Sequence, residues 1–304
     1  MAEMGLYVTE WPILFGADAA GVVKKVGEGV TNVAVGDKVL HAGTFADPAV
    51  KTFQQYVVMH SDFVAKVPSN ITLDQAATIP LTLATAALGL YDKKQKPFGG
   101  IGLTAPWLEG GRGKYAGQPI FIIGGATGVG QHTIQLAKLS GFSPIIVTAS
   151  PSNTAYLQSL GATHVLDRHT PLSELPALVR ALTPAPINVG YDALGYPETQ
   201  QALLDVVAPG GDILTVRDVA LDAAALAARG TYVGRVFADV QMPAHRQVGL
   251  GLYQHLTQML EAGEVKPTRL EVLPGGLEGI PEGLQRLKKG VSALKFVARP
   301  HETA

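Results

Sequence analysis

The feature that most constrains the fold is a regular alternation of apolar runs and helical patterns that begins at Pro119. Strands of a parallel sheet that is covered on both faces form nearly unbroken apolar runs, and a helical crossover separates each strand from the next. The alternation therefore predicts an α/β fold with a doubly wound parallel sheet. The predicted strands are Ile120–Ile123, Pro144–Ala149, His164–Asp167, Asn188–Asp192 and Asp212–Val216. The predicted helices are Val129–Ser140, Ser152–Gly161, Leu172–Leu182 and Pro197–Val207.

The N-terminal part of the chain has a different pattern. Residues 13–70 are rich in Val and Gly and contain strand-like runs at 21–26 and 56–59. A helical pattern follows over 73–91, opened by Thr72 as a predicted N-cap with Gln three residues later. This part is predicted to be rich in β-strands.

Beyond this helix, residues 97–117 hold seven glycines and two prolines, which predicts a long loop. Near the C-terminus the pattern predicts helices at 252–262 and 282–289 and a strand at 294–299. Because this end departs from the alternation, we expect it to rejoin the N-terminal domain. The predicted domains are 1–85 and 262–304 together, with 86–261 as the parallel-sheet domain.

The composition excludes several classes of protein. The chain has 304 residues, with 24 Lys and Arg against 25 Asp and Glu, so it carries no global field for nucleic acid or anionic lipid. Cysteine is absent, which excludes disulfides, thiolate zinc sites and cysteine nucleophiles. Hydrophobic residues make up 47%, which provides material for a core and argues against disorder.

Neither a leader nor a membrane span is apparent. The first 20 residues contain three acidic side chains and no basic leader. The longest mostly apolar stretch, 76–91, is shorter than the roughly 20 residues that a span needs. We expect a cytoplasmic protein, a monomer or homodimer, that binds a small molecule but neither nucleic acid nor membrane.

The sharpest motif is the segment 120–131, where an apolar strand passes through a glycine turn into a helix. Free N–H groups and the helix dipole at such a turn favour a pyrophosphate. Thr127 replaces the middle glycine of the G-x-G-x-x-G pattern, but the motif opens the first βαβ unit, as in a Rossmann dinucleotide site. The alternative is a plain connection without a ligand. The predicted contacts are Gly125, Ala126, Thr127, Gly128, Val129 and Gly130, and we expect a side chain at Gly128 or Gly130 to block the pyrophosphate.

The end of the next strand selects the dinucleotide. NAD sites usually carry an acid about 20 residues beyond the turn, but no carboxylate occurs here before Asp167. Ser150, Ser152 and Asn153 stand there instead, and Arg168 follows the third strand. These groups could bind a 2′-phosphate, which predicts NADPH. The alternatives are an N-capping turn at 150–153 and a solvated surface charge at Arg168.

Several segments resemble the medium-chain dehydrogenase/reductase superfamily, and the resemblance covers nearly the whole chain. The likeness is greatest to its fungal branch, which includes trans-acting enoyl reductases of polyketide pathways. It implies a GroES-like β-rich domain beside the Rossmann domain. It also adds Leu194, Val216, Val291 and Ser292 to the expected cofactor contacts. The segments that carry it are Gly16–Val23, Val26–Gly27, Val35–Val39, Gly125–Gly130, Thr148–Asn153, Leu160–Ala162, Asp192–Gly195, Pro209–Gly211 and Val291–Lys295.

Two departures from the family pattern matter. Ala17 and Asp18 occupy the positions where zinc-dependent members have His-Glu, and no histidine pair has metal-ligand spacing. The resemblance thus implies a zinc-free reductase of the quinone and enoyl type. In addition, only residues 1–15 precede the glycine signature, so we expect the GroES-like domain to be incomplete.

The expected reaction is hydride transfer from NADPH to an activated C=C bond (enoyl) or a quinone, in fungal secondary metabolism. The alternatives are an alcohol dehydrogenase-like oxidoreductase and a non-catalytic NADPH-binding protein. No residue stands out as the proton donor. Tyr56 and Tyr91 are candidates by residue type, each with core packing as the alternative. Thr82 and Thr85 are candidates because the resemblance places them at the cleft wall, with helix packing as the alternative.

Overall fold

The structure is a computed structural model that describes residues 12–44 and 47–304. Its strands are β1 Asp18–Val22, β2 Lys38–Ala42, β3 Ala65–Lys66, β4 Ile120–Ile123, β5 Ile145–Ala149, β6 His164–Asp167, β7 Val189–Asp192, β8 Asp212–Thr215, β9 Tyr232–Arg235, β10 Leu270–Val272 and β11 Lys295–Val297. Its α-helices are α1 Leu73–Ala76, α2 Pro80–Tyr91, α3 Gly128–Ser140, α4 Thr154–Leu160, α5 Leu175–Leu182, α6 Pro197–Val206, α7 Ala223–Arg229, α8 Arg246–Glu261 and α9 Ile280–Lys289.

Six parallel strands form the main sheet, in the order β6-β5-β4-β7-β8-β9. The order reverses between β4 and β7, which is the switch point where open α/β sheets bind ligands beyond the carboxyl ends of their strands. The predicted doubly wound sheet is confirmed. Strand β9 and helix α7 were not predicted, because the segment Tyr232–Arg235 is neither a continuous apolar run nor an alternation.

The core of this sheet follows from the apolar strands. All four residues of β4 are buried, and Ile120 pairs with both Ile145 and Val189 in the two neighbouring strands. Phe121 and Ile146 pack in one cluster with side chains from α5, α6, β8 and β9. Burial of so much apolar surface holds the carboxyl edge of the sheet in place.

The chain divides into two compact units. The first unit contains the described residues up to 81 together with 239–262 and 267–304, and the second contains 82–238 and 263–266. The first unit holds an antiparallel sheet, β1-β2-β3, and the parallel pair β10-β11. The second unit holds the six-stranded sheet.

Helix α8 belongs to the first unit, whereas the predicted range 86–261 placed this segment with the parallel sheet. The Ala42 N–H donates to the hydroxyl of Tyr253 at 2.9 Å, and the Thr257 hydroxyl donates to the Lys66 carbonyl at 2.9 Å. The Tyr253 ring also meets Phe63 edge-on at 6.2 Å. These long-range contacts have no signature in the local sequence. The division into domains stays a proposal.

The predicted helix over 73–91 is interrupted. The capping box at Thr72 is confirmed, because the Gln75 N–H donates to its hydroxyl at 3.2 Å and the Thr72 N–H donates to Gln75 Oε1 at 2.9 Å. Helix α1 ends at Ala76, and α2 begins at Pro80. Proline lacks an N–H and disfavours helical backbone in the residue before it, so the break falls there.

The predicted strand at 56–59 is wrong. Tyr56 and Val58 are 64% and 72% exposed, and no described residue of this segment lies in a strand. A β pattern forms a strand only where a second strand supplies a ladder of hydrogen bonds, and no such pairing is assigned to 56–59 among the described residues. The loop at 97–117 is confirmed, since it contains neither helix nor strand. The strand predicted at 21–26 lies earlier, at β1.

The C-terminal elements occur near their predicted positions. Helix α8 begins at Arg246, six residues before the predicted start at Leu252. Helix α9 covers the predicted 282–289, and β11 lies within the predicted 294–299.

Candidate functional site

The turn between β4 and α3 is tied to the end of β5. The Gly124 N–H donates to Thr148 Oγ1 at 3.0 Å, and the Gly125 N–H donates to the Thr148 carbonyl at 2.9 Å. Gly124 has a φ of +81°, in the left-handed region that glycine adopts without strain. Thr148 was not named as a separate candidate, since its role depends on the pairing of β4 with β5.

The N-terminus of α3 offers a site for an anion. Thr127 is the N-cap, and its Oγ1 accepts the Gly130 N–H at 2.9 Å. Within the described residues, the N–H groups of Gly128 and Val129 have no hydrogen-bond acceptor. Unpaired N–H groups at the positive end of a helix favour phosphate oxygens.

Contacts inside the chain explain the glycines of this turn. A Cβ on Gly130 would lie 2.3 Å from the Gly124 carbonyl oxygen, and one on Gly125 would lie 2.9 Å from the Cβ of Val147. A Cβ on Gly128 would lie 2.9 Å from Thr82 Cγ2. Close packing of the turn and of the start of α3 against neighbouring segments therefore favours glycine here, whereas the sequence interpretation assigned Gly128 and Gly130 to pyrophosphate approach.

A network of side chains braces the turn from the helix side. Gln131 Nε2 donates to the Ala126 carbonyl at 2.8 Å, and the Tyr156 hydroxyl donates to Gln131 Oε1 at 2.9 Å. The network joins the turn to α4. Gln131 and Tyr156 were missed because neither has a signal in the local sequence.

His132 is a further residue that the sequence interpretation missed. Its ring is fully buried, and its Nδ1 lies 3.0 Å from the Gly128 carbonyl oxygen and 3.0 Å from Thr82 Oγ1. The available signal was the spacing, because residues four apart on a helix share a face. Thr82, which was predicted to line the cleft, lies beside His132 and Gly128 at the start of α3.

The predicted 2′-phosphate residues lie at the ends of β5 and β6. Ser150 is the N-cap of a 3-10 turn, Pro151–Asn153, in which Ser152 is exposed and Asn153 is buried. The Arg168 N–H donates to the Ala149 carbonyl at 3.0 Å, which places its backbone beside the start of this turn. The Arg168 side chain is exposed.

The end of β7 forms the other side of the switch point. Asp192 Oδ1 accepts the N–H groups of Leu194 and Gly195 at 2.9 Å, and its Oδ2 accepts the Thr199 hydroxyl at 2.6 Å. Burial raises the pKa of Asp192, and these hydrogen bonds oppose the rise. A Cβ on Gly124 would lie 2.9 Å from Leu194 Cγ, so this turn meets the glycine turn.

The remaining predicted residues are dispersed. Val216 follows β8 in the second unit, while Val291 and Ser292 are exposed before β11 in the first. Tyr56, in the first unit, meets His301 edge-on at 5.4 Å. The Thr85 carbonyl accepts the hydroxyl of Tyr191 at 3.0 Å.

Tyr91 has a packing role. Its buried hydroxyl donates to the Leu136 carbonyl at 3.2 Å and lies 2.8 Å from Ser140 Oγ. Burial raises its pKa, which disfavours proton donation to a substrate.

Ala17 and Asp18, at the expected His-Glu positions, include no histidine, and Asp18 forms an ion pair. Asp18 Oδ2 accepts from Lys295 Nζ at 2.6 Å, and its Oδ1 accepts the Leu81 N–H at 2.6 Å. Ala17 has no ligating atom in its side chain. The described residues contain no group of three or more His, Asp or Glu that could hold a metal ion. The residues at this position therefore do not fit a catalytic zinc.

Comparison with known proteins identifies the family. Residues 1–69 match the family described as alcohol dehydrogenase GroES-like domain, and 128–217 match zinc-binding dehydrogenase. The trans-enoyl reductase grgB of a Penicillium species is 33% identical over 277 residues, covering 85% of this chain and 75% of that protein. This chain belongs to the medium-chain dehydrogenase/reductase superfamily. Its members are oxidoreductases that bind a nicotinamide dinucleotide.

Two further members of the superfamily support the assignment. A trans-enoyl reductase of Gibberella fujikuroi is 32% identical, covering 85% of this chain and 76% of that protein. The crystal structure of JamJ enoyl reductase aligns with a TM-score of 0.68 at 26% identity, covering 94% of this chain and 80% of that one. Among the described residues, no helix is both long enough and apolar enough to cross a membrane.

Proposed function

We propose that this chain is an NADPH-dependent, zinc-independent reductase of an activated C=C bond or a quinone in fungal secondary-metabolite biosynthesis. The helix N-terminus at Gly128 and Val129, whose N–H groups have no acceptor in the described part of the chain, carries the proposal. The similarity of this chain to trans-enoyl reductases supports an enoyl substrate. We further propose a cytoplasmic enzyme that acts on a small molecule.

The residues at the carboxyl edge of the sheet would hold the cofactor. The N–H groups of Gly128 and Val129 would bind the pyrophosphate, and Thr148 and Gln131 keep the turn in the conformation that presents them. Ser150, Ser152, Asn153 and Arg168 would bind the 2′-phosphate through hydroxyl, amide and guanidinium donors. Leu194, Val216, Val291 and Ser292 are the further proposed contacts.

When bound, NADPH supplies the hydride from nicotinamide C4. The protein positions the two reactants, which removes most of the entropic cost of their encounter. Donors near the substrate oxygen would stabilise the enolate or hydroquinone oxygen as charge develops. Thr82 and Thr85 are the proposed residues of the reaction cleft, and Tyr56 stays a candidate by residue type. Water is the proposed proton source.

The test combines binding with turnover. NADPH and NADH are titrated into the purified chain by following nicotinamide fluorescence, and NADPH oxidation is then measured against enoyl thioesters, quinones and aldehydes. We expect tight NADPH binding and oxidation with an enoyl thioester or a quinone, at a rate that a chelator leaves unchanged.

Three outcomes would contradict the proposal. Binding without turnover of any compound would favour a non-catalytic NADPH-binding protein. Alcohol oxidation that a chelator abolishes would favour a zinc-dependent dehydrogenase. Equal affinity for NADH and NADPH would contradict the proposed preference for NADPH.

A further inference from the structure

The Gly128–Val129 peptide is held from the buried side of α3 by His132. Gly128 O lies 3.0 Å from His132 Nδ1, and because a carbonyl oxygen only accepts, a hydrogen bond between them uses the tautomer with the proton on Nδ1. Thr82 Oγ1 also lies 3.0 Å from Nδ1 and, in this tautomer, accepts from the same N–H. The imidazole thus bridges the first turn of α3 and the start of α2.

This contact fixes the orientation of an N–H group as well as a carbonyl. The Gly128 carbonyl and the Val129 N–H belong to one planar peptide unit, so turning one turns the other. The Val129 N–H has no acceptor among the described residues and lies at the positive end of the helix. Thr82 also lies close to this peptide, since a Cβ on Gly128 would lie 2.9 Å from its methyl carbon.

We propose that His132 is a positioning residue that aims the Val129 N–H at the pyrophosphate of the dinucleotide, with Thr82 holding the imidazole in place. The inference rests on the proposed cofactor site and deepens it. His132 touches neither cofactor nor substrate in this role. It acts through the peptide whose carbonyl it binds.

The chain contains a matched control. His255 in α8 makes the same contact four residues back along its helix, with Nδ1 2.8 Å from the Gly251 carbonyl oxygen. The His255 Nδ1 contacts a carbonyl in the interior of α8, whereas His132 contacts a carbonyl in the first turn of α3. If a histidine bonded to a helix carbonyl acts only on local helix stability, His132→Leu and His255→Leu should have equivalent effects on ligand binding.

The experiment compares three ligands by calorimetric titration: NADPH, ADP-ribose and adenosine 2′-monophosphate. The first two contain a pyrophosphate and the third does not. We expect His132→Leu to weaken NADPH and ADP-ribose about tenfold each and to leave adenosine 2′-monophosphate unchanged. His132→Asn, which keeps a short N–H donor, should restore most of the affinity. His255→Leu should bind all three like the wild type.

The outcomes separate the positioning role from a structural one. Equal weakening of all three ligands by His132→Leu, or no weakening of any, would overturn the positioning role. If His132→Leu does not fold, Thr82→Val provides the test. This variant removes the hydroxyl that holds the imidazole and keeps the shape of the side chain. It should weaken only the two pyrophosphate ligands, and unchanged affinity for them overturns the inference. A wild type that binds neither NADPH nor ADP-ribose would overturn the proposed cofactor site itself.

Discussion

Single residues at the ends of β5 and β6 decide the proposed choice between NADPH and NADH. Position 150 carries a hydroxyl instead of the acid that holds a ribose 2′-hydroxyl in NAD sites. The backbone of Arg168 lies beside the same edge through its N–H bond to Ala149. Both positions can be altered without touching the core, so cofactor choice can be tested separately from folding.

The first prediction concerns this choice. A hydrogen bond to a charged group contributes about 1.5–3 kcal/mol, so Arg168→Ala should weaken NADPH by about one to two orders of magnitude. NADH, which lacks the 2′-phosphate, should bind as before. Ser150→Asp should reverse the preference, because a carboxylate repels the phosphate and accepts from the ribose. Both cofactors are titrated into each variant, and an unchanged preference in Arg168→Ala would remove that residue from the site.

The second prediction concerns pH and His41. Burial lowers the pKa of His41 to about 4, although the charge of Asp18 and a backbone contact at Ala42 oppose the shift. Between pH 6.5 and 4 the unfolded chain therefore binds a proton that the folded chain does not, so stability falls as the pH falls. At pH 5 the loss from this group is about 1–2 kcal/mol.

Urea unfolding of the wild type and of His41→Leu at pH 7 and pH 5 measures this loss. The variant lacks the titrating group, so its stability should change less between the two pH values. Equal pH dependence in both proteins would show that His41 does not titrate in this way.

At the scale of elements, the strand–turn–helix unit from β4 to α3 depends on close packing. The spacing of glycines marks this unit in the sequence, and in the structure Gly130 lies at the contact between helix α3 and the turn at Gly124. Gly128 is likewise packed against Thr82. Gly128→Val would therefore displace Thr82 as well as alter the binding surface, and it cannot separate folding from binding.

The third prediction tests the packing role of Gly130. A Cβ there would lie 2.3 Å from the Gly124 carbonyl oxygen, so Gly130→Ala should force the turn and helix apart. Overpacking of this kind costs about 1–3 kcal/mol. Gly27→Ala is the control, because a Cβ there meets nothing within 4 Å. A melting temperature of Gly130→Ala equal to that of the control would contradict the packing role.

At the scale of the molecule, one ion pair joins distant parts of the first unit. Asp18 and Lys295 are 277 positions apart, and their side chains are 16% and 25% exposed. The same carboxylate accepts the N–H of Leu81. Three segments of the chain therefore meet at Asp18, where zinc-dependent relatives have a metal-binding signature.

The fourth prediction follows from this pair. Lys295→Met should lower the free energy of unfolding by about 2 kcal/mol, because a half-buried carboxylate loses its countercharge. Adding Asp18→Asn should recover part of the loss, since the amide oxygen still accepts from Leu81. Lys66→Met is the control, because the side chains of Lys66 and its partner Asp37 are more exposed than those of Lys295 and Asp18. Urea unfolding of the wild type, Lys295→Met, Asp18→Asn and the double variant gives the coupling energy, and additive losses would rule out the pairing.

The sequence by itself determined the class of the six-stranded region, because strand-like and helical segments alternate along it, and β4 to β8 lie close to their predicted positions. It also located the glycine turn and the cap at Thr72, which depend on neighbours within a few residues. Only the tertiary structure decided the rest. Strand β9 is defined by its pairing with β8, and none of residues 56–59 lies in a strand. His132 and the Asp18–Lys295 pair depend on side chains from separate segments, and local sequence carries no information about which segments the fold brings together.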